Sequence, residues 1–126
     1  MGVNNPGYAF ALVDLGRLNI RTGKYEKAES YLAEAKTILD KELGEENPAN
    51  GEVYFNLGTL YAVKKDNTKA LEYLEKAFQL KYHDLKSLES TKDLDAIRVT
   101  PEFKKLIEKY FPDKQLDRFP GMFSVR

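Results

Sequence analysis

Cysteine is absent from the 126 residues. That excludes disulfides, thiolate metal sites and cysteine nucleophiles, and it leaves the redox compartment open. Net charge is absent as well, since twenty basic residues balance twenty acidic ones. No overall electrostatic pull toward DNA, RNA or anionic lipid follows, so neither nucleic acid nor membrane is expected as a partner. No apolar run approaches the roughly 20 residues that a membrane-spanning helix needs. The opening MGVNNPGYAF lacks the basic and apolar regions of a signal peptide. It also fails the myristoylation pattern, because Pro6 stands where Ser or Thr is required. The default location is the cytoplasm, and Met1-Gly2 is consistent with the cut edge of a longer protein.

Chemistry is equally scarce. Histidine occurs once, as His83 in Tyr82-His83-Asp84, with no converging partners for catalysis or metal binding, and it reads as a surface or hinge residue. There is no phosphate loop, dinucleotide fingerprint or His-x-x-x-His pair. Ser30 lies in a helical pattern with no histidine near it. Asp93 and Asp95 flank Leu94 in a polar turn without the rest of a calcium loop. Lys41-Glu42 and Lys104-Lys105 belong to solvated helix faces. No cofactor, metal or catalytic residue is expected.

What the chain does contain is 42% hydrophobic and 32% charged residues, enough for a folded domain, and one pattern that occurs twice. At an offset of 42 residues, Asn5-Pro6 falls on Asn47-Pro48, Leu15-Gly16 on Leu57-Gly58 and Leu18 on Leu60. Lys27-Ala28 likewise falls on Lys69-Ala70, Tyr31-Leu32 on Tyr73-Leu74 and Ala35 on Ala77. A fixed period of this size marks stacked repeats. Each copy reads as an antiparallel helical hairpin, so the fold class is all-α. Pro6 and Pro48 suit the first turn of a helix. Leu12, Leu15, Gly16 and Asn19 share one helix face, as do Tyr54, Leu57, Gly58 and Tyr61. A glycine inside a helix costs about 1 kcal/mol against alanine. Its use twice at one register implies a neighbouring helix too close for a side chain. Gly23 and Asn67 are expected to take the left-handed conformation that ends the first helix of each pair. Ala28, Leu32 and Ala35, copied as Ala70, Leu74 and Ala77, form the opposing face.

"LGRLNIRTGKYEKAESYLAEA" and "LGTLYAVKKDNTKALEYLEKA" resemble tetratricopeptide repeats. The residues that carry the resemblance are Leu12, Leu15, Gly16, Asn19, Ala28, Leu32 and Ala35, with Tyr54, Leu57, Gly58, Tyr61, Ala70, Leu74 and Ala77 in the second copy. Asn19 departs from the aromatic usual there. The long period and "AKTILDKELGEENP" are similar to the extended second helix and Asn-Pro junction of the kinesin light chain type. The resemblance implies a right-handed α–α solenoid in a single domain, with repeat 1 at about 5–44 and repeat 2 at about 47–82. A degenerate capping hairpin follows at about 83–112. There, Leu85 and Leu88 suit a short helix. Thr100-Pro101-Glu102 reads as a helix start, Phe103, Leu106, Ile107 and Tyr110 as an apolar stripe, and Pro112 as its stop. The tail, 113–126, is apolar around Pro120-Gly121. It is expected to fold back on the last hairpin, with Phe119, Met122 and Phe123 as an alternative docking segment for a partner or a second copy of the chain.

In such an array the first helix of each hairpin lines the concave side. By register the partner-binding face is then Phe10, Val13, Asp14, Arg17 and Arg21 from the first unit. Glu52, Phe55, Asn56, Thr59 and Val63 continue it in the second. The mixture of apolar anchors and hydrogen-bonding groups suits a peptide groove. The clamp with which some tetratricopeptide proteins grip a chaperone carboxylate is not supported: Asn56 matches one clamp asparagine, but Val13 and Arg17 replace a lysine and an asparagine. The function implied is a non-catalytic scaffold for a protein or peptide partner. Self-association and a regulatory segment of a larger enzyme are the alternatives.

Overall fold

The computed structural model describes residues 5–82, 88 and 91–112. Four helices form two hairpins: α1 (Pro6–Arg21), α2 (Tyr25–Leu43), α3 (Asn50–Val63) and α4 (Asn67–Gln79). A 3-10 turn (Lys92–Leu94), a short α5 (Asp95–Arg98) and α6 (Pro101–Tyr110) follow, and no strand occurs among the described residues.

Local signals set most boundaries. Asn5 caps α1, its Oδ1 accepting the Tyr8 N–H at 2.9 Å, with Pro6 in the first turn. Gly23, at φ +82°, turns the chain into α2, and Gly44, at φ +94°, ends α2. Thr100 caps α6 by accepting the Phe103 N–H at 3.2 Å. Two expectations are corrected. Pro48 lies outside α3, because Asn47 and Pro48 form a turn whose carbonyls accept the Asn50 and Gly51 N–H groups. The left-handed residue after α3 is Lys65, at φ +66°, not Asn67. Lys65 is the register equivalent of Gly23, and Asp66 takes the capping role by accepting the Lys69 N–H at 3.1 Å.

Each hairpin is closed by a leucine lying over a glycine. A Cβ built on Gly16 would meet Leu32 Cγ at 2.8 Å, and one on Gly58 would meet Leu74 Cγ at 2.8 Å. The Ala28 and Ala70 carbonyl oxygens stand at 3.5 and 3.2 Å from the same points. The close approach expected at both glycines is therefore present, and a leucine makes it. Ala28, Leu32, Ala35, Ala70, Leu74 and Ala77 are all fully buried. Burial at this level stabilises by roughly 1.5–3 kcal/mol per large side chain.

The hairpins stack through α2 and α3. Asn50, wholly buried, donates from Nδ2 to Asp40 Oδ1 at 3.0 Å and toward the Gly44 and Glu45 carbonyls at 3.3 and 3.4 Å. It thereby satisfies the C-terminal end of α2. At the other end the Tyr61 hydroxyl donates to the Glu29 carboxylate. That bond pushes the tyrosine pKa up to about 12 and holds Glu29 below its ordinary value. As a result α3 is buried nearly all round, in keeping with a sequence, NGEVYFNLGTLYAV, that is apolar on every face. At the far end Phe103, Leu106, Ile107 and Phe111 of the cap are buried. The Phe111 ring meets Phe78 edge-on at 5.1 Å. Lys109 and Tyr110 both reach Glu75, at 2.7 and 2.8 Å.

Leu15 and Leu18 depart from their copies. Leu57 and Leu60 are buried between the hairpins, whereas Leu15 and Leu18 face outward on α1, which has no described element on that side.

Four outcomes follow for urea unfolding. Gly58→Ala lowers stability by about 1–2 kcal/mol, overpacking against Leu74 and the fixed Ala70 carbonyl outweighing about 1 kcal/mol of helix propensity. Gly16→Ala costs less, because its backbone neighbour is farther away; equal losses would show that the carbonyl does not matter. Lys65→Gly raises stability by up to about 1 kcal/mol through release of the left-handed strain. Tyr61→Phe costs about 1 kcal/mol at neutral pH. The difference from wild type shrinks as pH falls through the lowered Glu29 pKa, because the stabilising partner is the ionised carboxylate.

Candidate partner-binding groove

Helical periodicity places Phe10, Asp14, Arg17 and Arg21 on one side of α1, and Glu52, Asn56, Thr59 and Val63 on the matching side of α3. Between these helices and the cap lies a groove of about 500 Å³. Arg17, Ile20 and Arg21 form one wall, and Glu52, Phe55, Asn56 and Thr59 the other. Tyr82 and, from the cap, Thr91, Lys92 and Asp93 complete the lining.

Six of the ten residues expected on the concave face line this groove: Arg17, Arg21, Glu52, Phe55, Asn56 and Thr59. Phe10 and Asp14 are exposed on α1 outside it. Val13 is buried in the core and has no free surface, because α1 turns that side toward α3. Val63 is half-buried against the core at the end of α3. Phe119, Met122, Phe123 and His83 lie outside the described residues.

Five lining residues were not foreseen: Ile20, Tyr82, Thr91, Lys92 and Asp93. The Tyr82 ring stacks on Phe55 with centroids 4.9 Å apart. Its Cβ also lies 3.1 Å from where a Cβ on Gly51 would stand. Gly51, where the first copy has Ala9, is the sequence signal that could have revealed this approach. No comparable signal marks Thr91–Asp93, since the 42-residue register has lapsed by that point.

The groove's charges are distributed unevenly. Arg17 is occupied: Nη2 meets Asp14 at 2.5 Å and Nη1 meets Glu52 at 2.8 Å, which ties α1 to α3 across the groove. These groups are largely exposed, so the network contributes little stability, and it serves to set the orientation of Arg17. Arg21 and Lys92 make no ion pair among the described residues. Asp93 is raised above its ordinary pKa by burial and by the neighbouring Asp95 charge. Asn56 Nδ2 and Thr59 Oγ1 donate back to the Glu52 and Phe55 carbonyls at 2.8 and 3.1 Å. The Asn56 carboxamide oxygen accepts no hydrogen bond among the described residues. The arrangement offers an aromatic pair, two cations that form no ion pair among the described residues, and one acceptor. Among the described residues no cluster of three or more His, Cys, Asp or Glu could hold a metal ion. None of their helices is long and apolar enough to cross a membrane.

Comparison with curated proteins and with solved structures finds no match. A family model, described as tetratricopeptide repeat, matches residues 2–82. That span contains both glycine–leucine crossings and both hairpins of the all-α helical-repeat solenoid. Repeats of this kind generally mediate protein–protein interaction and are typically non-catalytic. The chain belongs to the tetratricopeptide-repeat family.

Proposed function

We propose that this protein is a cytoplasmic, non-catalytic adaptor that holds an extended peptide segment of a partner protein in the groove between α1, α3 and the cap. The reading is carried by the stacked Phe55–Tyr82 pair flanked by Arg21 and Lys92. A peptide fits this pair by placing an apolar side chain on the rings and a carboxylate or backbone carbonyl near the cations. Asn56 accepts a backbone N–H from the same segment. Arg17, already bound to two carboxylates, shapes the wall and contributes no free charge.

Selection from a displayed peptide library, followed by titration of the selected peptide, tests this. The expected binder carries an apolar residue beside an acidic one. Arg21→Glu with Lys92→Glu weakens it by about tenfold or more, two exposed charge contacts being worth about 1.4 kcal/mol together. Tyr82→Ala weakens it further. Binding that is indifferent to all three changes overturns the groove assignment.

A further inference from the structure

Arg98, at the end of α5, is not among the residues that line the groove. Its side chain is 13% exposed, which makes it the most covered cation of any ion pair among the described residues. One guanidinium nitrogen, Nη1, donates to two main-chain carbonyls, those of Leu88 at 2.7 Å and Thr91 at 3.0 Å. The other, Nη2, pairs with the Asp95 carboxylate. A single side chain thus grips the chain on both sides of the 3-10 turn Lys92–Leu94. Thr91, Lys92 and Asp93, which this grip encloses, do line the groove.

The turn needs such a grip. It is closed by the Leu94 N–H bonded to the Thr91 carbonyl at 3.0 Å and by the Asp95 N–H bonded to the Lys92 carbonyl. Those bonds shape a short 3-10 turn, but they do not tie it to the hairpins. Leu88 and Leu94 are wholly buried, and the turn packs on α3. Apolar burial is non-directional, so a leucine anchor fixes the depth of the turn and leaves its rotation open. The two carbonyl bonds are directional and charge-assisted, and they remove that freedom. The guanidinium is a rigid plane that stays protonated, so the grip holds at any ordinary pH.

We propose that Arg98 is a positioning residue for the groove: by holding the Leu88 and Thr91 carbonyls it presents Lys92 to the bound peptide segment without touching that segment itself. The Lys92 ammonium sits on a flexible stem, and its reach is set by the main chain beneath it. The contribution of Lys92 to binding therefore depends on Arg98, whereas that of Arg21, on α1, does not. The role rests on the reading of the groove as a peptide site.

A double-mutant cycle on the peptide selected from the displayed library tests it. Arg98→Met keeps an apolar stem and removes the donors. It weakens the peptide by about threefold, the share of one exposed charge contact. Arg98→Lys, able to reach one carbonyl, weakens it less. Lys92→Glu and Arg21→Glu each weaken binding to the wild-type chain. In the Arg98→Met background, Lys92→Glu changes affinity by less than about 1.5-fold, while Arg21→Glu keeps its full effect. Hydrogen exchange on the free chain supplies a second readout. The Leu94 amide, which donates to the Thr91 carbonyl, exchanges about tenfold faster or more in Arg98→Met, and the Leu57 and Leu60 amides of α3 keep their wild-type rates. A Lys92→Glu penalty undiminished in the Arg98→Met background, with Arg21→Glu still weakening the peptide, overturns the positioning role and leaves the groove standing. Unchanged Leu94 exchange overturns it too, and so does a loss of protection throughout α3, which would make Arg98 a general stabiliser. Binding indifferent to Arg21→Glu, Lys92→Glu and Tyr82→Ala overturns the groove reading and the role of Arg98 with it.

Discussion

Each hairpin of this protein is held by a leucine that occupies the space a side chain would need on the facing helix. Leu32 lies over Gly16 and Leu74 over Gly58, with the same 2.8 Å clearance in both copies. The alanines beside each leucine let the second helix settle close enough for this crossing, and their side chains are fully buried. The glycine lowers helix propensity, but the closer approach lets the aliphatic side chains pack at interior density. Other features depend on that distance. With the hairpins this thin, α2 and α3 can stack, and Tyr61 can reach across to Glu29.

Stacking distributes burial unequally between copies of one motif. α3 has the first hairpin on one side and the cap on the other, and it sinks into the core. α1 has α2 and α3 but no described neighbour on its remaining side, so its corresponding leucines meet solvent. The groove arises from the same geometry. Two first helices stand side by side, and the cap turn that packs on α3 brings Thr91, Lys92 and Asp93 into the lining. The cap therefore does more than cover the last hairpin: it builds part of the candidate site.

Much of the fold was legible because its signals are local. Asn5-Pro6, Gly23 and Thr100-Pro101 mark helix boundaries by backbone chemistry that needs no distant partner. The duplicated Leu-Gly and Ala-x-x-x-Leu-x-x-Ala spacings specify a close crossing wherever the second copy lies. The errors share a cause. Pro48 looked like a helix start, but Asn50 is drawn down onto Asp40 and the chain before it turns. The left-handed residue went unrecognised at Lys65 because lysine carries no turn signal, although the register with Gly23 pointed to it. Val13 looked available because periodicity gives the side of a helix and not what stands against that side. The groove was legible on its two helical walls, and Tyr82 and Thr91–Asp93 escaped because no repeat register reaches them.

The amino-acid sequence by itself determined that this is a doubled helical hairpin with an interrupted third element. Helix period, capping and glycine placement act over a few residues and recur at a constant offset. Only the tertiary structure decided which of two equivalent residues is covered and which side chains share a cavity. Leu15 and Leu57 are the same residue in the same local motif, and their opposite fates come entirely from what packs beside them. Burial is a property of neighbours, and neighbours are fixed by the assembled stack and not by the segment.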